Sequence, residues 1–471
     1  MLRHIIDKEI RDLIGTTKFT VMFAVCSLLI LLAFFMGGTS YLTARAQYEA
    51  DRSENLRQFE GLTDWMRVHD FRVFLPPQPL ASLVPGITND IGRTAEVTGS
   101  GEAPTEDSRY GDEPVFAIFR LLDLGFVFEV VLTLFAIMSG YDAVNGEKER
   151  GTLRLTFAYP LPRHTYILGK LLGSLLGLGV PLLIPLLAGC LLLAIMGIPL
   201  RGEEWLSLTG IIAAGMLLFC VFLTLAILVS SLTRRSADSF LIVLVVWIMA
   251  VLIVPRAAVV LAGRAVDVPG VDEIASQKAR LNAQIWKEDR KALNTFSPAP
   301  GTDPSAAVTQ INTIMQEAAD NRAKKMEELT ARLNEDRANR QAAQKRLAFG
   351  LARISPSAMF SLAASSLAGT STGLEQRFHD ALTSYQDGYG RFMKEKTGVN
   401  LGAGVMMIRM IEEEGTTPEP INPAELPVFT IPPQPFADQL ASALPDMGLL
   451  GGTLILLFAA SVLAFQRYDV R

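Results

Sequence analysis

The chain has 471 residues, of which 50% are hydrophobic and 19% are charged. Soluble proteins carry about 25% charged residues, so this composition argues against an ordinary soluble fold. The formal net charge of −5, without a strongly basic stretch, argues against a nucleic-acid-binding role.

Residues 1–18 form a predicted amphipathic helix. Leu2, Ile5, Ile6 and Ile10 share one helical face, and charged residues occupy the other. This pattern predicts a helix that lies in the membrane surface; a solvated cap without membrane contact is the alternative. The segment is long and mixes acids with bases, so we expect the next apolar block to be an uncleaved first span rather than a signal peptide.

Six apolar blocks are long enough to cross about 30 Å of hydrocarbon as helices. The predicted spans are 19–38, 120–141, 166–198, 206–231, 239–262 and 447–466. The third is long for one straight crossing, and Pro181 and Pro185 predict a kink because each removes a helical donor. Cys26, Cys190 and Cys220 all lie in these blocks, so no disulfide framework or metal site is expected. The sequence therefore predicts an all-α membrane protein with six transmembrane helices.

Basic residues in the short loops orient the spans. They precede the first span, fill the 142–165 loop, separate the fourth and fifth spans, and follow the last span in the tail 467–471. The positive-inside rule places both termini and the 142–165 loop in the cytoplasm. Segments 39–119 and 263–446 are then extracytoplasmic.

The larger outer segment is predicted to be mainly helical. Over 272–294 and 305–349 acids and bases alternate at helical spacings, and the Pro-rich break between them predicts a helical hairpin. A further helix is expected over 373–396. The near repeats "PPQPLA" at 76–81 and "PPQPFA" at 432–437 either hold the two outer segments in place or are coincidental.

No nucleotide-binding motif or catalytic set is recognisable. The nearest candidate, "ILGKLLG" around Lys170, lacks the upstream glycine and the Ser or Thr that follows the lysine of a phosphate-binding loop. We therefore expect that the chain is not itself an enzyme and binds no cofactor directly, so directed work needs an external energy source.

The stretch "GEKERGTLRLTFAYPLPRHTYILGK" over 146–170 concentrates charge and turn residues in a short loop. Gly151 allows a sharp change of direction. Thr152 and Leu153 begin an apolar surface that ends near Pro160. A short helix of this kind can insert into a groove on a soluble partner; the alternative is an ordinary basic loop whose long side chains snorkel.

This stretch resembles the loop between the second and third spans of ABC-2 type permeases. There, an acidic-basic-acidic run leads into Gly-Thr-Leu, and a basic residue and Gly-Lys follow. The matching positions are Glu147, Glu149, Gly151, Thr152, Leu153, Arg163, Gly169 and Lys170. The large outer segments are similar to a subgroup with a large domain between spans five and six, which includes permeases of nitrous-oxide-reductase maturation and of gliding motility.

The resemblance implies a permease subunit of an ATP-driven exporter in the bacterial cytoplasmic (inner) membrane, surrounded by lipid and paired with a second permease. ATP and Mg²⁺ would bind to a separate ATP-binding subunit. The residues expected to couple to it are Glu147, Lys148, Glu149, Arg150, Gly151, Thr152, Leu153, Pro160, Arg163 and Lys170. Two alternatives stay open: a transmitter of ATP-driven motion to the outer domain that moves no cargo, and a scaffold or sensor without an ATPase.

Two further features lie outside the loop. Glu129 falls in the middle of the second span, where a carboxylate is costly. We expect it to lie either on a translocation path or against a wet cleft or a basic partner. Ser355, Pro356 and Ser357 match the outer motif of the subgroup and are expected to cap a helix that rests on the membrane.

Overall fold

The computed structural model describes residues 2–68, 71–88, 91–97, 105–106, 123–158, 162–295, 304–397 and 420–467. Helices dominate this part of the chain. They are α1 (Leu2–Ile14), α2 (Thr17–Arg57), α3 (Leu124–Phe126, π-helical Val127–Leu132, Thr133–Gly140), α4 (Asn145–Glu149), α5 (Thr152–Thr156), α6 (Arg163–Ile195), α7 (Gly202–Leu232), α8 (Ser236–Trp247, π-helical Ile248–Ile253, Val254–Ala265), α9 (Val271–Thr295), α10 (Pro304–Ala352), α11 (Pro356–Leu367), α12 (Gly373–Thr397) and α13 (Phe436–Gln466). Single 3₁₀ turns occur at Trp65–Arg67, Pro79–Ser82 and Pro423–Glu425, and the strands are β1 (Arg72–Phe74), β2 (Thr94–Glu96) and β3 (Thr105–Glu106).

Six helices of the described chain are long and apolar enough to cross a membrane. They are Thr17–Arg57, Leu124–Glu149, Arg163–Ile195, Gly202–Leu232, Ser236–Ala265 and Phe436–Gln466. The predicted all-α membrane fold with six spanning helices is therefore confirmed. Pro181 and Pro185 both lie inside the continuous α6. Residues 120–122, the predicted start of the second span, lie outside the described residues.

The chain divides into two compact units, one formed by residues 1–251 and 355–471 and the other by residues 252–354. In the first unit, α7 lies at the centre of the helical bundle, and α3, α11 and α13 pack against it. Phe360 of α11 packs on Phe128 of α3, with ring centroids 5.6 Å apart. The short apolar helix α11 is thus part of the bundle core alongside the longer helices.

The apolar face predicted for residues 1–18 packs against α6. Three glycines of α6, spaced by four residues, line this contact at Gly169, Gly173 and Gly177. A Cβ atom at Gly169 would lie 2.7 Å from Ile5 Cγ2, and one at Gly173 would lie 2.6 Å from Glu9 Cβ. The glycines therefore allow a closer approach of the two helices than any larger side chain would.

A second, smaller core in the first unit is built from both predicted outer segments. Helix α2 has 41 residues, or about 60 Å at 1.5 Å per residue, so it extends well beyond one hydrocarbon thickness. Near its end, Asn55 Nδ2 donates to Arg72 O at 2.7 Å, and Arg72 N donates to Asn55 Oδ1 at 3.2 Å. The three strands pair antiparallel in the order β1-β2-β3, and α12 contributes Tyr389, which stacks on Phe71.

The near-repeat segments "PPQPLA" and "PPQPFA" both approach the end of α11. Arg377 Nη2 donates to Gly369 O at 2.9 Å, and its Nη1 donates to Gln434 Oε1 at 2.7 Å. Gln78 Oε1 lies 3.5 Å from the position that a Cβ of Gly369 would occupy. Gln78 thus lies close to Gly369, and Gln434 is linked to the same glycine through Arg377.

In the second unit, α10 packs against α9 and against the last part of α8. Gln344 Nε2 donates to Val266 O at 3.1 Å, and the Arg322 guanidinium lies 3.8 Å from the ring centroid of Trp286. The two helices expected from the charge pattern are thus present at Val271–Thr295 and Pro304–Ala352. Residues 296–303, between them, lie outside the described residues.

Candidate functional site

Helices α4 and α5 are joined by a sharp turn at Gly151. Its φ angle is +75°, and nothing lies within 4 Å of the position of a Cβ atom, so the left-handed backbone rather than a lack of space favours glycine. Arg150 Nε donates to Gly146 O at 3.0 Å, and Thr152 Oγ1 donates to Glu147 O at 3.2 Å. The Thr152 bond crosses the turn and links the two short helices, which we call together the α4–α5 segment (145–156).

Helix α4 is hydrogen-bonded to the connection between α7 and α8. Asn145 Nδ2 donates to Thr233 Oγ1 at 2.9 Å, and Ser230 Oγ donates to Asn145 Oδ1 at 3.0 Å. One turn later, the Glu149 carboxylate accepts from the backbone N–H of Ser236 at 2.8 Å and from its hydroxyl at 2.9 Å. Ser236 begins α8, so Glu149 places a negative charge at a helix N-terminus, where the helix dipole favours it.

A buried ion cluster joins α1, α4 and α6. Lys170 Nζ contacts Glu147 Oε1 at 3.1 Å and also forms an ion pair with Glu9. Lys8 Nζ lies 2.6 Å from Glu147 Oε1, and Tyr166 Oη donates to Glu147 Oε2 at 2.7 Å. We call this set the Lys170 cluster (Lys8, Glu9, Glu147, Tyr166, Lys170).

The charges of the Lys170 cluster balance. Only 2% of the Lys170 side chain is exposed, with 6% for Glu147 and 9% for Glu9. Charges withdrawn from water to this degree persist only when they are paired and hydrogen-bonded. Two carboxylates face two ammonium groups, and loss of Lys170 would leave the buried Glu9 without an ionic partner.

The start of α6 is fastened to the end of α13. Arg163 Nη1 donates to the Phe465 carbonyl at 3.0 Å, so a cation meets the free carbonyls at a helix C-terminus. The rings of Phe157, Tyr166 and Phe465 lie with centroids 5.1–5.6 Å apart. Because Tyr166 also belongs to the Lys170 cluster, the α4–α5 segment and its flanks contact α1, α6, α8 and α13.

The predicted coupling residues fall into two groups. Glu147, Glu149, Arg163 and Lys170 make the contacts within the bundle described above, and Leu153 is buried with 1% exposed. Gly151, Thr152 and Arg150 are exposed, and Lys148 is half-buried. Pro160 lies outside the described residues.

Leu155 is the prominent exposed apolar side chain of α5. Its side chain is 71% exposed, and the neighbouring Arg154 is also exposed. Because an exposed leucine on a five-residue helix gains free energy when a partner removes it from water, this face of α5 is suited to a partner surface.

Glu129 lies in the π-helical segment Val127–Leu132 of α3. Its carboxylate accepts a hydrogen bond from the Ser361 hydroxyl of α11. The Glu129 carbonyl accepts from Thr133 Oγ1, whose oxygen accepts from Trp247 Nε1 at 2.8 Å. π-Helical turns occur frequently at functional sites, and here one brings α3, α8 and α11 together.

Ser355, Pro356 and Ser357 begin α11. Ser355 caps the helix and Pro356 occupies its first turn. The hydroxyls of both serines donate to the Ala250 carbonyl, that of Ser357 at 3.2 Å. Pro255, five residues after Ala250, has no N–H to donate, and the two serine hydroxyls reach the Ala250 carbonyl from α11.

Sequence reasoning missed three parts of this site. Glu9 was assigned to the polar face of residues 1–18, although it stands three or four residues from Ile5, Ile6 and Leu13. Glycines at every fourth position of α6 were a visible signal for a close helix contact. The Asn145 contacts had no local signal, since its partners lie 85 or more residues away.

All residues of the site fall in the part of the chain that matches a known protein family. The model of the family described as ABC-2 family transporter protein matches residues 3–470. The chain belongs to the ABC-2 transporter family. This permease is also 34% identical over 126 residues to a protein named probable ABC transporter permease protein NosY from Pseudomonas aeruginosa. That match covers 26% of the permease and 45% of the relative's own length.

Proposed function

We propose that this permease receives energy from a separate ATP-binding subunit that docks on the α4–α5 segment. The observation that carries the proposal is the position of this segment. It is fastened to α8 through Glu149, to α1 and α6 through Glu147, and to the α6–α13 junction through the aromatic contacts of Phe157.

These contacts would allow motion of the ATP-binding subunit to reach the helical bundle. A displacement of α4 acts on the buried Lys170–Glu147 ion pair and the buried Ser230–Asn145 hydrogen bond, which water does not replace, so the partner helices move with it. Backbone connection alone would pass the motion only to α3 and α6. Closure of two ATP-binding subunits, with ATP and Mg²⁺ bound to them, would in this way rearrange the interface between two permeases.

The docking surface is the outer face of α5. Leu155 enters an apolar groove on the partner, Arg154 contacts its rim, and the buried Leu153 anchors the helix to the permease. This arrangement is that of a short amphipathic helix in a groove.

The distribution of charge supports one orientation in the membrane. By the positive-inside rule, the loop basic residues favour a cytoplasmic location for both termini and the α4–α5 segment, which would put the second core outside a bacterial inner membrane. We further propose that transport is directed outward, as the resemblance to exporters implies, and that Glu129 lies on or near the translocation path.

Leu155→Asp tests the docking surface. A buried charge in the groove should remove the stoichiometric ATP-binding subunit from an affinity purification in mild detergent, and with it the ATP hydrolysis of the eluate. Val428, which is 60% exposed and follows Leu426 of the second core by two residues, gives the matched control Val428→Asp, which should retain both. The proposal is wrong if Leu155→Asp co-purifies with an active ATP-binding subunit at the wild-type ratio.

A second function is favoured by the length of α2. This helix runs without a break from the bundle to the second core, where Asn55 fastens it to β1. A permease of this kind can transmit ATP-driven motion to an envelope partner without moving cargo. ATP-dependent flux of a solute or lipid in reconstituted vesicles would argue for transport and against pure transmission.

A further inference from the structure

A cavity of about 140 Å³ lies between α1, the start of α2, the end of α3 and α4. Its apolar wall includes Phe19, Met22 and Phe135, and its other wall is charged. Such a cavity has room for about ten water-sized groups. It is partly open, so a ligand can enter without separating the helices.

The charged wall contains two carboxylates and two cations beyond the Lys170 cluster. They are Asp12, Lys18, Asp142 and Arg150. Lys18 Nζ lies 4.2 Å from the ring centroid of Tyr141, and Arg150 donates to a backbone carbonyl. In the part of the chain that the structure describes, no ion pair involves any of these four side chains.

The signs of these four charges, two negative and two positive, indicate which class of ligand the cavity would bind. An anion would face two carboxylates, and a cation would face an ammonium and a guanidinium. Only a zwitterion offers a partner to all four. Guanidinium and ammonium groups bind phosphate oxygens, and a primary ammonium donates to carboxylates.

The cavity lies where the hydrocarbon boundary is expected. Lys18 precedes the apolar block of α2 by two residues, and Asp142 follows the end of α3 by two. Next to Met22 on α2, Val21 is 56% and Val25 50% exposed, as suits contact with acyl chains. A headgroup held in the cavity would thus keep its chains in the adjacent bilayer.

We propose that this cavity binds the headgroup of a zwitterionic phospholipid with a primary amine, as in phosphatidylethanolamine. The phosphate lies between Lys18 and Arg150, and the ammonium group lies against Asp12 and Asp142. The cavity is too small for the acyl chains, so recognition is by the headgroup. The site requires neither ATP nor transport.

Native mass spectrometry of the full chain, released from nanodiscs of mixed phosphatidylethanolamine and phosphatidylglycerol, tests this site. We expect about tenfold preferential retention of phosphatidylethanolamine by the wild type, since one lost charge contact is typically worth about that factor. Asp142→Asn should shift the preference toward the anionic lipid, and Lys18→Gln should weaken retention of both. A change in preference, unlike a loss of binding, is not produced by simple unfolding.

The matched control removes one acid and one base from α9. Asp272→Asn with Lys278→Gln should keep the wild-type preference. Equal retention of the two lipids by the wild type, or a preference unaltered in Asp142→Asn, would overturn the proposal. Displacement of the retained lipid by soluble phosphoethanolamine would support a zwitterion site that is also open to free ligand. Displacement only by another lipid would support a site that takes its ligand from the membrane.

Discussion

At the scale of single residues, Lys170 holds the candidate site together. A lysine with 2% of its side chain exposed is stable only as part of a balanced set of charges. Lys170 meets carboxylates from α1 and α4, two elements that the chain separates by more than a hundred residues. Its role is therefore to position the α4–α5 segment against the bundle.

Lys170→Met should destabilise the permease strongly. The substitution leaves Glu9 buried without an ionic partner, and breaking a buried pair in this way typically costs about 3–5 kcal/mol. A second change, Glu9→Gln, removes the orphaned charge and should restore part of the lost stability. Thermal unfolding in detergent measures both effects; a single variant as stable as the wild type, or a double variant no better than the single one, would contradict this role.

The sequence predicts some of these residues but not their partners. Glu147 and Lys170 belong to a recognisable loop motif, and the apolar face of α1 follows from helical spacing. Glu9 was not predicted because it stands 161 positions from Lys170, and periodicity carries no information about contacts at that distance. Ser230 and Thr233 were missed for the same reason.

At the scale of elements, the packing of α1 on α6 depends on glycine. A Cβ atom at Gly173 would lie within 2.6 Å of the Glu9 side chain and 3.3 Å of the Ile6 backbone. Since backbone cannot yield as a flexible side chain can, even the smallest side chain must displace α1 from α6. Displacement of α1 would also pull Glu9 away from Lys170.

Gly173→Ala should therefore destabilise the contact, although alanine favours a helix over glycine by up to about 1 kcal/mol. We expect faster proteolysis of residues 1–16 and a lower unfolding temperature. Gly452→Ala is the matched control, since nothing lies within 4 Å of a Cβ atom there and the change should be neutral or stabilising. Equal behaviour of the two variants would show that α1 does not require the close approach.

The start of α11 permits a test of redundancy. Two hydroxyls, from Ser355 and Ser357, donate to the Ala250 carbonyl, so either one alone still satisfies it. An unsatisfied buried carbonyl costs about 1–3 kcal/mol. Ser357→Ala alone should thus have a small effect on stability. The double variant Ser355→Ala/Ser357→Ala should lose more stability in thermal unfolding than the sum of the losses of the two single variants. Strict additivity would contradict a shared acceptor.

At the scale of the whole molecule, the elements that the sequence predicts well are the helices that a membrane requires. Hydrocarbon thickness demands long apolar helices, so the six spans follow from composition alone. No such constraint acts on segments 39–119 and 263–446, which the sequence predicts to lie outside the membrane. The core shared by Phe71 and Tyr389 arises from a contact between residues more than 300 positions apart, which a local charge pattern does not reveal.

The central claim is that an ATP-binding subunit contacts the exposed face of α5. A photo-crosslinking amino acid in place of Leu155 tests it most directly, with the same group in place of Val428 as the control. We predict a cross-link to an ATP-binding subunit from position 155 alone, and a shift in its yield when ATP is added. An ATP-binding subunit that co-purifies but never cross-links from position 155 would contradict the account.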